Sequence, residues 1–300
     1  MPRAAIVALL LLLGSLWGLT FSLAKIGTQG GIEPLGYAAL MQGGVGGVLL
    51  ALCAARGVRV PRDRATLVYA AISGIGSAGI PGVVMFFSVR HLPAGILALI
   101  VTLAPMITYG LSLAVGVERP ALRRALGMAI GFAGAGLIVV PRASLPSPEL
   151  LPWALLAMLT PLFYAATTVF IARARPAGVD SLALAALAQL AAAAAVVPAA
   201  VATGQLFVPG SPIDAAQLAL ATHVVVGVLT QFLFFELTRI AGPVFFSQVA
   251  YVVTLTGLFW GWVLFGETHS LWVWLAAAVI VAGVALVSWP ARRRAGEAGA

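Results

Sequence analysis

The amino-acid sequence predicts an all-α integral membrane protein in which ten transmembrane helices form two inverted repeats of five helices each. The first observation is composition, because 62% of the 300 residues are hydrophobic and only 9% are charged, whereas about 25% of residues in ordinary soluble domains are charged. The second is that apolar runs of about twenty residues, the length that crosses a bilayer, recur throughout the chain with short gaps. This chain has too few polar residues to form a water-facing surface, so its solvent is the bilayer.

The ten apolar segments are continuous runs without an alternating polar pattern, which predicts helices and not the strands of a membrane barrel. The first segment follows Arg3 and resembles a signal peptide. It has no A-x-A cleavage site and stays apolar as far as Ala24, so we predict an uncleaved helix. In chain order, the predicted spans 1 to 10 are 4–25, 34–55, 66–88, 94–116, 121–140, 150–172, 181–203, 216–238, 242–265 and 270–289.

The basic residues predict the orientation, because Lys and Arg near helix ends are retained on the cytoplasmic side. With the N-terminus inside, only Lys25, Arg90 and Arg142 fall on the outer side. This segregation predicts that both termini are cytoplasmic, and the dispersal of the basic residues excludes a nucleic-acid partner. The other fourteen are Arg3, Arg56, Arg59, Arg62, Arg64, Arg119, Arg123, Arg124, Arg173, Arg175, Arg239, Arg292, Arg293 and Arg294.

Internal repetition is indicated by one offset of 149 residues that relates the ends of the two halves. Five spans precede Pro141 and five follow it, and because five is odd the second half must be inserted upside down relative to the first. We therefore predict repeats at 1–141 and 142–300. The offset pairs Arg90 with Arg239, Glu118 with Glu267, Gly134 with Gly283, and Pro141 with Pro290.

Enzymatic motifs are absent from the sequence, which has no HExxH, no P-loop, no GxSxG and no His/Cys cluster at metal spacing. Cys53 is the single cysteine, so no intrachain disulfide or CxxC site exists. We expect no enzymatic activity, no cofactor and no metal. The alternative left open is a membrane-embedded enzyme or assembly factor that acts on a lipid-linked substrate at the basic loops.

The segment 91–136 carries an ordered set of small residues, a mid-helix proline, a glutamate and a glycine-rich helix, and its second copy keeps Gly266 and Glu267. In this order of motifs the chain resembles the EamA family of the drug/metabolite transporter superfamily, although Thr254 stands where the family often has a second proline. Span 1 adds a further likeness through Trp17, Gly18 and Lys25. The residues of the first copy are Ala94, Gly95, Pro105, Glu118, Gly127, Gly131 and Gly134.

The resemblance implies a multi-pass inner-membrane secondary transporter that exports amino acids or related metabolites by alternating access. Its expected partners are a small-molecule substrate and the lipid bilayer, and a homodimer is left open. A proline within a helix frees a backbone carbonyl one turn back, so Pro105 predicts a bend that exposes polar backbone to a cavity. Thr102 and Tyr109 lie one turn away on a similar face.

A second polar stripe lies in span 9, where the 149-residue offset superposes Thr102 on Tyr251 and Pro105 on Thr254. We predict a shared substrate site, with interhelical hydrogen bonding as the alternative. Aromatic and amide side chains without a fixed charge suit a neutral or zwitterionic substrate better than a phosphate. The stripe comprises Ser247, Gln248, Tyr251 and Thr254, and the further candidates are Trp17, Gln42, Tyr164 and Gln231.

Proton coupling needs a side chain that changes charge, and His223 and Glu236 are the titratable residues well inside predicted spans. His223 is a candidate proton relay, with a hydrogen-bonded histidine between helices as the alternative. Glu236 precedes Arg239 by one turn, so a local ion pair is the alternative to a coupling role.

Overall fold

The computed structural model describes residues 3–101, 103–116, 120–139, 147–246 and 249–288. Helices account for all the regular structure in these ranges, which contain no β-strand. The helices follow the ten predicted spans. Span 1 is Arg3–Gln29, span 2 Pro34–Ala55, span 3 Arg64–Val89, span 4 Ala94–Ala114, span 5 Leu122–Val139, span 6 Leu151–Ala174, span 7 Ser181–Ala202, span 8 Ala215–Phe246, span 9 Val249–Phe265 and span 10 Leu271–Ser288.

The length and hydropathy of the helices agree with a membrane protein. Seven of them, spans 1 to 4 and 6 to 8, are long and apolar enough to cross a bilayer. Spans 5, 9 and 10 contain shorter apolar stretches and complete the ten. Large apolar side chains such as Leu11, Trp262 and Trp272 are exposed on the outside of the bundle, where lipid tails would cover them.

Three spans are interrupted, and each interruption lies beside a proline. Span 3 contains a π-helix at Ile75–Gly79, just before Pro81. The helix of span 4 ends at Val101 and resumes at Ala104, next to Pro105. Span 6 has a break at Met158, shortly before Pro161. A proline has no N–H and its ring clashes with the preceding turn, which explains why the regular hydrogen-bond ladder fails there.

The boundary between spans 8 and 9 differs from the prediction. We expected span 8 to end at residue 238 and span 9 to begin at residue 242, but the helix of span 8 continues to Phe246. The helix runs through Gly242 and Pro243, which membrane helices tolerate because neighbouring helices satisfy the freed backbone groups.

The largest contacts between the spans are symmetric between the halves. Span 1 packs against spans 8 and 9, and the equivalent span 6 packs against the equivalent spans 3 and 4. Spans 2 and 7 pack directly on each other, as do spans 5 and 10. For these largest contacts, exchanging each span with the one five places away reproduces the contact, which is expected of a bundle with a pseudo-two-fold axis.

Glycine contacts show that the two halves are inverted. Gly134 packs against Ile280, while Gly283, its partner at the 149-residue offset, packs against Gly131. As the residue number rises on span 5 it falls on span 10, so these equivalent helices are antiparallel.

Spans 2 and 7 show the same arrangement, at an offset of 147 residues. Gly43 lies nearest Ala193, and Gly46 packs against Leu190. A two-fold axis that pairs equivalent helices in antiparallel fashion lies in the membrane plane. The predicted repeat boundary at residues 141 and 142 lies outside the described residues.

The two ends of the bundle differ in charge. One end, which we call the arginine face, carries exposed Arg56, Arg59, Arg62, Arg64 and Arg175 where spans 2, 3, 6 and 7 begin or end. The other end, which we call the Glu267 face, contains the start of spans 2 and 4 and the loop between spans 9 and 10. In the described part of that face, Lys25 and Arg90 are each paired with a carboxylate.

Candidate functional site

The predicted aromatic candidate of span 1 lies at the contact between the halves. Trp17 packs on Phe234 of span 8, with 6.0 Å between the ring centroids. Gln231, another predicted residue, lies one turn before Phe234 and is half-buried. The structure therefore places an amide beside an aromatic pair, with one ring from each half.

Span 4 is interrupted next to Pro105, where the sequence predicted a bend. Pro105 lies in the first turn of the second helical segment, and its side chain is half-buried. Tyr109, one turn further on, is buried, and its hydroxyl oxygen accepts a hydrogen bond of 3.0 Å from the backbone N–H of Ala121. The Tyr109 hydroxyl thus contacts the start of span 5. Thr102 lies outside the described residues.

The polar stripe of span 9 is only partly described. Ser247 and Gln248 lie outside the described residues, and so does the side chain of Tyr251. Thr254 is fully buried within the bundle. The predicted superposition of this stripe on that of span 4 stays a prediction.

Gln42 of span 2 contacts the π-helix of span 3. Its side-chain Nε2 donates a 2.7 Å hydrogen bond to the backbone carbonyl of Ala78. Its Oε1 is buried and has no hydrogen-bond partner, an unusual condition for a buried polar atom. On span 7, Gln189 is the residue related to Gln42 by the 147-residue offset, and its Oε1 is also buried without a partner. Both halves thus carry a buried amide with one open acceptor.

The two proton-coupling candidates lie in different surroundings. His223 is fully buried, with its Nδ1 2.9 Å from the Tyr37 hydroxyl and its ring 6.0 Å from that of Phe86. Glu236 is half-buried and lines a cavity of about 390 Å³ at the arginine face, together with Arg56. Only Glu236 is therefore close to water in this conformation.

Tyr164 is separate from the residues already described. It lies in span 6 with a half-buried side chain. Thr167, one turn later, faces Gly76 in the π-helix of span 3. Span 6 therefore brings Tyr164 toward the interface of spans 3 and 6, which is the repeat equivalent of the Trp17 interface between spans 1 and 8.

The structure also contains a cluster of charges that sequence reasoning did not assign to the site. The Lys25 Nζ lies 2.6 Å from the Glu267 Oε1, and the same oxygen accepts a 2.9 Å hydrogen bond from the backbone N–H of Ala94. The other carboxylate oxygen accepts a 3.3 Å bond from the N–H of Gly95. Glu267 thus binds span 1 and the N-terminus of span 4 at once.

Two further side chains surround this cluster. The Lys25 ammonium lies 4.4 Å from the centre of the Phe265 ring, within the range of a cation–π interaction. The His269 Nε2 is 3.9 Å from the Glu267 Oε2. Burial lowers the pKa of the His269 imidazole, so at neutral pH Lys25 is the cation that neutralises Glu267. This cluster could have been found from the sequence, because Lys25 and Glu267 carry opposite charges at span ends that were predicted to lie on the same, outer side of the membrane.

The class of protein follows from comparison with known families. The model of the EamA-like transporter family matches residues 5–140 and, a second time, residues 151–289. These matches cover most of the chain, so the protein belongs to the EamA-like transporter family and is a membrane transporter. Each match accounts for five of the ten spans.

Particular relatives agree with this assignment. The chain is 29% identical over 282 residues to the uncharacterized inner membrane transporter YedA of Escherichia coli strain K12, an alignment that covers 91% of this chain and 87% of that protein. The YedA protein of Escherichia coli O157:H7 matches to the same extent. A solved structure named "Crystal structure of protein" superposes with a TM-score of 0.68 over 97% of this chain and 100% of its own, at 23% identity, which shows a shared fold.

Proposed function

We propose that this protein is a secondary transporter that exports amino acids or related small metabolites across the inner membrane by alternating access. The observation that carries the proposal is that the largest helix contacts are related by exchange of the two halves. In an inverted repeat, the two halves face opposite sides of the membrane. The packing that one half adopts at one membrane face can therefore also be adopted by the other half at the opposite face. The bundle thereby has two related packings, which open a central site to opposite sides of the membrane.

The residues between the halves support a neutral or zwitterionic substrate. Trp17 and Phe234 offer aromatic surface, and Gln42, Gln189 and Gln231 offer amides. The two buried Oε1 atoms of Gln42 and Gln189 are acceptors for a donor such as a substrate ammonium. A phosphate would instead require Arg or Lys beside it, and neither residue type is among these side chains.

The orientation belongs to the same proposal. We place the arginine face in the cytoplasm, because basic residues near span ends are retained there. The name of the relative YedA, an inner membrane transporter, supports the inner membrane as the location. Both termini are then cytoplasmic, and the Glu267 face is on the outside.

The proposed function is tested by counterflow in liposomes that contain the purified protein, with a panel of amino acids and aromatic metabolites. We expect at least one zwitterionic compound to exchange faster than in protein-free liposomes. Trp17→Ala should raise the KM for that compound about tenfold, because losing an aromatic contact in a desolvated site costs a large part of the binding free energy.

The matched control is Trp272→Ala, which removes a tryptophan that is 49% exposed on the outside of the bundle. We expect the KM of this variant to equal that of the wild type. The proposal is wrong if no compound of the panel exchanges, and the site assignment is wrong if both tryptophan variants change the KM equally.

A further inference from the structure

The ion pair of Lys25 and Glu267 joins the two halves of the molecule. Lys25 and the N-terminus of span 4 belong to the first half, and Glu267 belongs to the second. Both side chains are nearly buried, with 13% and 9% of their surface exposed. Any motion of one half against the other at this face must therefore break the ion pair and both backbone hydrogen bonds.

A neighbouring ion pair lies within one half and does not join the two halves. Arg90 and Glu33 lie at the same face, with 2.7 Å between their closest side-chain atoms. Both residues belong to the first half, so a rigid motion of the halves leaves this pair intact. The structure thus supplies a pair that such a motion breaks and a pair that it does not.

The helices beneath the Lys25–Glu267 pair are in close contact. Gly257 of span 9 packs against the Cβ of Ala98 on span 4, and Gly95 packs against Leu258. Ser22, one turn before Lys25 on span 1, is fully buried and its hydroxyl has no partner. The face is closed in this conformation, and the pair lies at the outer end of the closed region.

The chemistry of the pair suits a contact that opens and closes. Burying two charges costs desolvation free energy, so apolar side chains of similar size could hold helices together at least as well. Charges become useful when the contact must also separate, because both groups are readily hydrated once the face opens. The positive end of the helix dipole at Ala94 adds a favourable interaction that exists only in the closed arrangement.

We propose that Lys25 and Glu267 form a latch that holds the Glu267 face closed and whose release opens that face to the central site. The proposal rests on the proposed alternating-access function. The latch acts on the equilibrium between conformations, so removing it shifts the population toward the state that is open at this face.

The test is the accessibility of Ser22 replaced by cysteine. Cys53→Ser removes the only native cysteine, and Ser22→Cys then places one nearly isosteric thiol beneath the latch. A membrane-impermeant maleimide is added to right-side-out or to inverted vesicles, and the rate of labelling is measured. With the latch intact, we expect slow labelling because this position is buried.

Glu267→Gln and Lys25→Met should each raise the labelling rate about tenfold or more from the Glu267 side only, since they weaken the closed state. Glu33→Gln is the matched control, because it removes the neighbouring pair within one half, and it should leave the rate unchanged. Equal rates in all variants would overturn the latch. Loss of folded protein in both latch variants, judged by size-exclusion chromatography, would show a purely structural pair and overturn it as well.

A second measurement separates the latch from the choice of substrate. Lys25→Cys combined with Glu267→Cys, again with Cys53→Ser, allows the face to be locked by a short bifunctional thiol reagent that bridges the space left by the two long side chains and forms reducible bonds. We expect this cross-link to stop exchange of a transported compound and reduction to restore it. If no panel compound is transported, the proposed substrate class fails while the labelling result still decides the latch.

Discussion

At the scale of single residues, the buried polar side chains show how polar groups are satisfied inside the bundle. The Tyr37 hydroxyl and the His223 ring satisfy each other at 2.9 Å in a region closed to water. Sequence reasoning singled out His223 because a titratable residue inside a membrane span is costly. It missed Tyr37, because the partner is 186 positions away and no local spacing indicates the contact.

The two coupling candidates should respond differently to substitution. We expect Glu236→Gln to abolish the effect of a pH gradient on transport while exchange without a gradient persists, because an amide cannot bind the proton. The His223→Leu variant should keep the response to the gradient, since its ring is enclosed and already hydrogen-bonded. Flux in liposomes with and without the gradient measures both effects.

The stability of variants at Tyr37 and His223 provides the control for the transport measurement. Removing one partner leaves the other buried and unpaired, so Tyr37→Phe and His223→Leu should each lower the free energy of unfolding by about 1–3 kcal/mol. Their combination should cost less than the sum of the two. A His223 variant of unchanged stability that loses the response to the gradient would instead assign the coupling role to His223.

At the scale of elements, local sequence predicted the helices well. It did not predict features of the helices that depend on contacts with residues distant in the sequence. Apolar run length gave the spans, and Pro105 gave the interruption of span 4. The π-helix before Pro81 was not predicted, because a proline allows several local geometries and the one adopted is contacted by the side-chain amide of Gln42, 36 positions away. The contact of Glu267 with the N-terminus of span 4 likewise depends on residues 173 positions apart.

The contact of spans 5 and 10 should be sensitive to a single methyl group. In the Gly283→Ala variant, the new Cβ would lie 2.6 Å from the backbone carbonyl oxygen of Gly127. We expect this overpacking to lower the free energy of unfolding by about 1–3 kcal/mol. Thermal unfolding of the purified protein in detergent measures the change.

Gly47→Ala is the matched substitution, because nothing lies within 4 Å of its added Cβ. Alanine is the better helix former, so this variant should be as stable as the wild type or slightly more stable. Equal destabilisation by both substitutions would contradict the close approach of spans 5 and 10.

At the scale of the whole molecule, the ion pairs sharpen the charge difference between the faces. On the Glu267 face Lys25 and Arg90 are paired with carboxylates, whereas Arg56, Arg59 and Arg62 are exposed on the opposite face. Neutralised basic residues contribute less to the field at a membrane surface than exposed ones. In the described chain, the exposed basic side chains that are not paired with a carboxylate are concentrated on the arginine face, so the orientation proposed above places them against the cytoplasmic leaflet.

The orientation can be measured with two exposed positions in a Cys53→Ser background. Val208→Cys lies in the loop after span 7, and Ala177→Cys lies in the loop before it. In intact cells, an impermeant maleimide should label the cysteine at 208, while the cysteine at 177 should react only after permeabilisation. The opposite pattern would place the arginine face outside and contradict the cytoplasmic termini.

The π-helix of span 3 has a consequence for the energetics of the two halves. Two identical inverted halves would give inward-open and outward-open states of equal free energy, because rotation about the two-fold axis would convert one state into the other. Span 8, the equivalent of span 3, is a continuous α-helix from Ala215 to Phe246. A helical defect in one copy alone removes this degeneracy, so under the proposed alternating access the protein has an intrinsic resting state even when the solutions on both sides of the membrane are the same.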